Sequence, residues 1–124
     1  MDSQEYLDPK VISKLEKLGA GFPRKLIALF LEHTPRRLDS AMAGGRAGDW
    51  KAVEDAAHSL KSSAGKPGAV RLRDLADRVE AVAGSVRSDP KAASGDLLNL
   101  LAELEGAYAR TRDLLVEIRE RSNP

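Results

Sequence analysis

Asp49-Trp50-Lys51-Ala52-Val53-Glu54-Asp55-Ala56-Ala57-His58-Ser59-Leu60-Lys61-Ser62-Ser63-Ala64-Gly65 is the stretch from which the fold is read. Asp49 offers a side-chain oxygen to the free N–H groups that open a helix, and Val53, Ala57, Leu60 and Ala64 follow at i, i+4, i+7 and i+11. With about 3.6 residues per turn, those four fall on one stripe. Gly65-Lys66-Pro67-Gly68 ends the run. A helix over about 49–65 with a single apolar stripe has to bury it against other elements, and the rest of the chain supplies them.

Toward the N-terminus, Asp8-Pro9 gives a cap followed by a proline at the first helical position, and Val11, Ile12, Leu15 and Leu18 keep helical spacing up to Gly19. This predicts a short helix over about 9–18. After Gly21, the run Phe22, Leu26, Leu29, Phe30 and His33 keeps one face and continues through Leu38, Ala41 and Met42 to Gly44-Gly45, read as the stop of a helix over about 22–44. Pro35 removes one backbone donor inside it, which predicts one bent helix rather than two. Toward the C-terminus, Leu72, Leu75, Ala76, Val79, Val82, Ala83 and Val86 mark a helix over about 69–86 that stops at the polar stretch from Arg87 to Pro90. Leu97, Leu100, Leu101, Leu104, Tyr108, Leu115 and Ile118 mark a last one over about 91–120, with a start at 91 or 96. No run alternates with period two, so no strand is predicted. The expectation is an all-α chain, one domain over 1–124, folded as an antiparallel four-helix bundle with a short N-terminal capping helix.

Composition narrows the function. The 124 residues hold 20 Lys+Arg against 19 Asp+Glu, no Cys and 4% aromatics. Without Cys there are no disulfides, thiolate metal sites or thiol nucleophile. The near-balanced charge gives no whole-molecule field of the kind that draws a protein to nucleic acid or an anionic bilayer. Asp2, Glu5, Asp8 and Glu16 among the first apolar positions fit neither a signal peptide nor a membrane span, and a cytoplasmic location is the expectation.

On the 49–65 helix, stepping 100° per residue from the core stripe puts Glu54, His58, Lys61 and Gly65 at roughly 80–140°. His58 therefore faces water, with the Lys61 ammonium one turn along and the small Ser62 and Gly65 around it. A neutral imidazole is a nucleophile near neutral pH, and an ammonium nearby offsets charge on a phosphoryl group. No Gly-rich phosphate loop or Ser-His-Asp set appears, so the chain shows no means of using ATP and is not expected to be an enzyme in its own right.

The string Ala57-His58-Ser59-Leu60-Lys61-Ser62-Ser63-Ala64-Gly65-Lys66-Pro67-Gly68-Ala69, followed by Leu72, Leu75, Ala76 and Glu80, strongly resembles the histidine phosphotransfer (HPt) domain of multistep two-component phosphorelays. Leu7-Asp8, the Phe30 to Leu38 stretch with its proline, the Gly48-Asp49-Trp50 turn and the last long helix extend the resemblance over almost the whole chain. It implies that His58 takes a phosphoryl group from a receiver-domain aspartate and passes it to another receiver. Lys61 would neutralise the phosphate, and Glu54, Ser62, Gly65, Lys66 and Gly68 would form the docking surface around the ring. The implied partners are response-regulator receivers and a hybrid sensor histidine kinase. The chain itself would hold no cofactor or metal, Mg²⁺ being on the receiver. Ser62 stands where the family usually has Gly, and Lys66-Pro67 where it usually has Asn and an apolar residue.

Two alternatives stay open on the sequence. Ser62 favours a receiver-docking module that is not phosphorylated, and Glu54, one turn before His58, is compatible with the phosphoacceptor domain of a chemotaxis-type or hybrid kinase. His33, on a stripe with Leu26, Leu29 and Phe30, reads as a core or boundary residue, and two His on different helices give no metal-ligand spacing. Lys61, Lys66, Arg71 and Arg73 are read as one basic rim, complementary to an acidic receiver pocket. Nucleic-acid binding is not expected, and no strongly apolar outer face is apparent, so a monomer is expected. The start at Met1 and the polar ends read as those of a free-standing protein.

Overall fold

The computed structural model describes residues 2–19, 21–89, 91–92 and 94–121. Among these residues six helices follow one another: α1 (Asp2–Tyr6), α2 (Pro9–Lys17), α3 (Gly21–Ala47), α4 (Trp50–Gly65), α5 (Val70–Ser88) and α6 (Gly95–Arg121). Among the described residues there is no strand. The four long helices α3 to α6 pack around one core, α4 between α3 and α5, and α6 closing the bundle against both. α1 lies against α5 and α6, and α2 against α3.

The apolar stripe of α4 is the heart of that core, since Val53, Ala57, Leu60 and Ala64 are all fully buried. They meet Leu72, Leu75, Ala76, Val79 and Ala83 of α5 and Leu97, Leu101, Leu104 and Leu115 of α6 in one continuous cluster. Phe30 of α3 stacks on Tyr108 of α6 with ring centroids 6.0 Å apart. The caps are as drawn: Asp8 accepts from the Lys10 N–H at 2.9 Å and Asp49 from the Ala52 N–H at 3.1 Å.

Two expectations about α3 are corrected. α3 does not stop at Gly44-Gly45 but runs to Ala47. Those glycines are buried contact points: a Cβ on Gly45 would stand 2.6 Å from Leu101 Cδ1, and one on Gly44 3.0 Å from Val53 Cγ2. Their lack of a side chain serves close helix approach, and the actual stop is Gly48, whose φ of 71° favours glycine. The buried face of α3 is Pro23, Ile27, Phe30, Thr34, Leu38 and Ala41, so Phe22, Leu29 and His33 on the neighbouring stripe are exposed. α6 begins at Gly95, next to the later of the two starts read from the sequence. α1 was not anticipated. Met1 and Pro90, which the sequence reading also used, lie outside the described residues.

Candidate functional site

α4 and α5 run antiparallel, and each carries a polar stripe along the edge where they meet. On α4 it is Glu54, His58 and Lys61, at i, i+4 and i+7, and on α5 it is Asp77, Glu80, Gly84 and Arg87 in the reverse direction. Both flank apolar faces that are buried, so the core fixes which side chains confront each other. Lys61 meets Asp77 and Glu80, His58 meets Glu80, and Glu54 lies over Gly84 to reach Arg87.

His58 is the most exposed member, with 68% of its side chain accessible, whereas Glu80 retains 24%. The His58 Nδ1 and Glu80 Oε2 are 2.8 Å apart. The other Glu80 oxygen accepts from the Lys61 ammonium at 2.9 Å, and that ammonium also donates to Asp77 Oδ1 at 3.1 Å. The hydrogen bond from Lys61 and, more weakly, the one from His58 hold the Glu80 carboxyl below the usual carboxylate range against the opposing effect of burial. The hydrogen bonds to Glu80 and then to Asp77 hold the Lys61 ammonium above the usual lysine range. An ionised carboxylate has no proton to give, so the proton in the His58–Glu80 contact sits on Nδ1. Nε2 then carries the lone pair, on a ring that reaches well into solvent. The arrangement makes one imidazole nitrogen a nucleophile and places a negative charge beside the other, where positive charge grows as the ring is alkylated or phosphorylated.

The other residues singled out in the sequence are distributed differently. Ser62 and Gly65 are exposed on α4. Lys66 is exposed too, but on the α3 side, where with Leu26, Leu29, Phe30, His33 and Arg37 it borders a cavity of about 210 Å³. Glu54 is tied to Arg87 at 3.1 Å and has no contact with the ring, so it is not the glutamate of the site. Gly68 is buried, which takes it out of any docking surface. Its φ is 74°, a Cβ there would stand 2.8 Å from Val11 Cβ, and its carbonyl accepts from the Asp8 N–H at 2.9 Å. It is the point where α2 is pinned to the turn after α4. The uniform basic rim is corrected as well: Lys61 is shared by two carboxylates and Arg73 lies 3.6 Å from Asp74. His33 is exposed at the cavity rather than buried.

Glu80 and Asp77 were missed as site residues. The available signal was their i, i+3 spacing beside the core stripe of α5, which by itself also describes an ordinary solvated face. Among the described residues no group of three or more His, Asp or Glu could hold a metal ion, and no helix is long and apolar enough to cross a membrane.

A fold and a site of this kind define a class of protein, the helical bundle that carries a solvent-facing histidine, paired with a carboxylate of the next helix, on a middle helix. The sequence matches the Hpt domain family over residues 25–118, and the chain belongs to that family. Among solved structures, it resembles histidine-containing phosphotransfer protein B (HptB) from Pseudomonas aeruginosa PAO1, with a TM-score of 0.81 and 27% identity, over 94% of this chain and 96% of that one. The sequence matches no curated relative.

Proposed function

We propose that this protein is a phosphoryl carrier in a multistep phosphorelay, with His58 as the residue that bears the group. The observation that carries the reading is the Glu80 contact on Nδ1 of an exposed ring, which leaves Nε2 as the nucleophile. The lone pair of Nε2 attacks phosphorus of a receiver's aspartyl phosphate. The P–N bond forms as the P–O bond to the aspartate breaks, and the aspartate leaves as a carboxylate. No proton has to move, because Nδ1 keeps its hydrogen and the ring becomes cationic against the Glu80 carboxylate. Passing the group on reverses these steps with a second receiver.

The rest of the reading follows from that chemistry and from membership of the family. The partners are receiver domains and a hybrid sensor histidine kinase. The chain hydrolyses no ATP and holds no cofactor, and Mg²⁺ acts from the receiver. Lys61 neutralises the phosphoryl group, and Ser62, Gly65 and Lys66 belong to the docking surface. The protein works in the cytoplasm as a monomer. The Ser62 side chain forms no hydrogen bond among the described residues, so nothing there ties its hydroxyl to the ring. A glutamate on the ring is also compatible with the phosphoacceptor domain of a chemotaxis-type kinase, with Glu80 in the place the sequence assigned to Glu54.

The test is transfer from a labelled phospho-receiver to the wild-type chain and to His58→Gln. Label on wild type alone, lost in acid and kept in base, is the expected result. Label surviving on His58→Gln, or wild type that binds receivers yet never takes label, overturns the reading, and the second outcome leaves the docking module in its place. Label accepted only from an ATP-loaded kinase domain, and never from a receiver, identifies the chemotaxis-type alternative.

A further inference from the structure

We propose that Asp77 sets the poise of the phosphoryl group between His58 and its partner's aspartate, by competing with that group for the Lys61 ammonium. This rests on the carrier reading and adds a residue that never touches the ring.

In the unphosphorylated chain Lys61 Nζ is held between Glu80 Oε1 at 2.9 Å and Asp77 Oδ1 at 3.1 Å. Both bonds pull it toward α5, the side of the ring where Nδ1 meets Glu80. The phosphoryl group is carried on the other nitrogen, Nε2. One ammonium thus faces two carboxylates before transfer, and afterwards two carboxylates and a phosphoryl group of roughly −2 charge. Like charges sharing one counter-ion raise the free energy of the state that holds more of them. Glu80 is needed on Nδ1, but Asp77 has no second role: its side chain is 65% exposed and Lys61 is the partner the structure gives it. Asp77 therefore stabilises the unphosphorylated state specifically. Its negative charge pushes the phosphoryl group onward to the acceptor, as suits a relay component that must not retain its cargo.

The geometry also makes the test clean. Asp77 is exposed, so Asp77→Asn opens no cavity and strands no buried charge. The full-length chain is mixed with one receiver and a limiting amount of labelled phosphoryl group, and the equilibrium ratio of phospho-His58 to phospho-aspartate is measured. Asp77→Asn is expected to raise that ratio about two- to five-fold, the range set by a single exposed ion pair. The gain should shrink at high ionic strength, and Asp77→Glu should restore the wild-type ratio. Asp113→Asn on α6, where the carboxylate pairs with its neighbour Arg112, serves as the control and should leave it unchanged. Direct phosphorylation by phosphoramidate, which needs no docked receiver, should show the same gain in the equilibrium ratio of phospho-His58 to unmodified chain at fixed phosphoramidate and ammonia. A ratio unchanged or lowered in Asp77→Asn, with wild type labelled normally on His58, overturns the inference alone. A gain that appears with the receiver but not with phosphoramidate also overturns it, because Asp77 would then act on docking. Wild type that takes no label overturns the carrier reading itself.

Discussion

At the residue scale, His58 and Lys61 were legible because their signal is local. Three positions on one helix place them on one side, and the core stripe beside them says which side is wet. Glu80 was not legible in that way, since it reaches His58 from 22 residues along the chain, across a helix pair whose register no local pattern specifies. Glu54 had the more obvious spacing to His58, yet its carboxylate goes to Arg87 because Gly84 leaves room for it to pass. The role of Glu80 gives a two-sided prediction. The ring becomes cationic during transfer and this carboxylate is the charge beside it, so Glu80→Gln should slow phosphoryl uptake by roughly 10- to 100-fold, about 1.4–2.7 kcal/mol in barrier, read as an initial rate with saturating donor. The same residue predicts a pH dependence of stability. The Glu80 carboxyl is held below its ordinary value of 4.5 in the folded chain, so its stabilising contribution is fully present above that pH and is lost as pH falls through the folded value. Urea unfolding of wild type and Glu80→Gln should therefore show a stability gap that is constant near neutrality and closes in acid. A gap that widens in acid would contradict the pairing.

At the scale of elements, helices were easy to find and their faces and ends were not. α3 has two apolar stripes side by side, one through Phe22 and Leu29 and one through Ile27, Phe30 and Leu38, and periodicity alone cannot say which one meets α4 and α6. Gly44-Gly45 has the composition of a helix end, but the glycines are there because α4 and α6 approach closely. Gly68 shows the reverse: a turn glycine by sequence that also acts as a packing point. A residue with a Cβ there would adopt φ near 74° against Val11 Cβ at 2.8 Å. Gly68→Ala should cost about 1–3 kcal/mol, measured as a lower urea midpoint. The loss should be accompanied by faster exchange of the Asp8 amide hydrogen, because its acceptor is the Gly68 carbonyl. Unchanged exchange at Asp8 would mean that α2 is held by other contacts.

For the whole molecule, the class of fold followed from amphipathic helices that had no other way to bury their stripes, and one continuous cluster unites them. That same division of labour separates stability from function. Leu104 on α6 is fully buried and belongs to the cluster, while the reactive groups sit on the outer edge between α4 and α5. Removing its side chain to the β-carbon should cost about 2–5 kcal/mol, a large share of the roughly 5–15 kcal/mol that a domain of ordinary stability has. Val53, Ala57 and Leu60 of α4 and Leu75, Ala76 and Val79 of α5 are buried in the same cluster, and Leu104→Ala leaves all six in place. The variant should thus unfold at a lower temperature and lower urea concentration, yet accept phosphoryl groups at the wild-type rate per folded molecule when assayed well below its midpoint. Glu80→Gln should behave in the opposite sense near neutral pH, with a large loss of rate and little loss of midpoint, because its partners are solvated and surface ion pairs contribute only about 0–1 kcal/mol to stability. If Leu104→Ala lost transfer rate in proportion to stability, the site would depend on the whole bundle, and the α4–α5 edge would not be the self-sufficient unit that its antiparallel contacts describe.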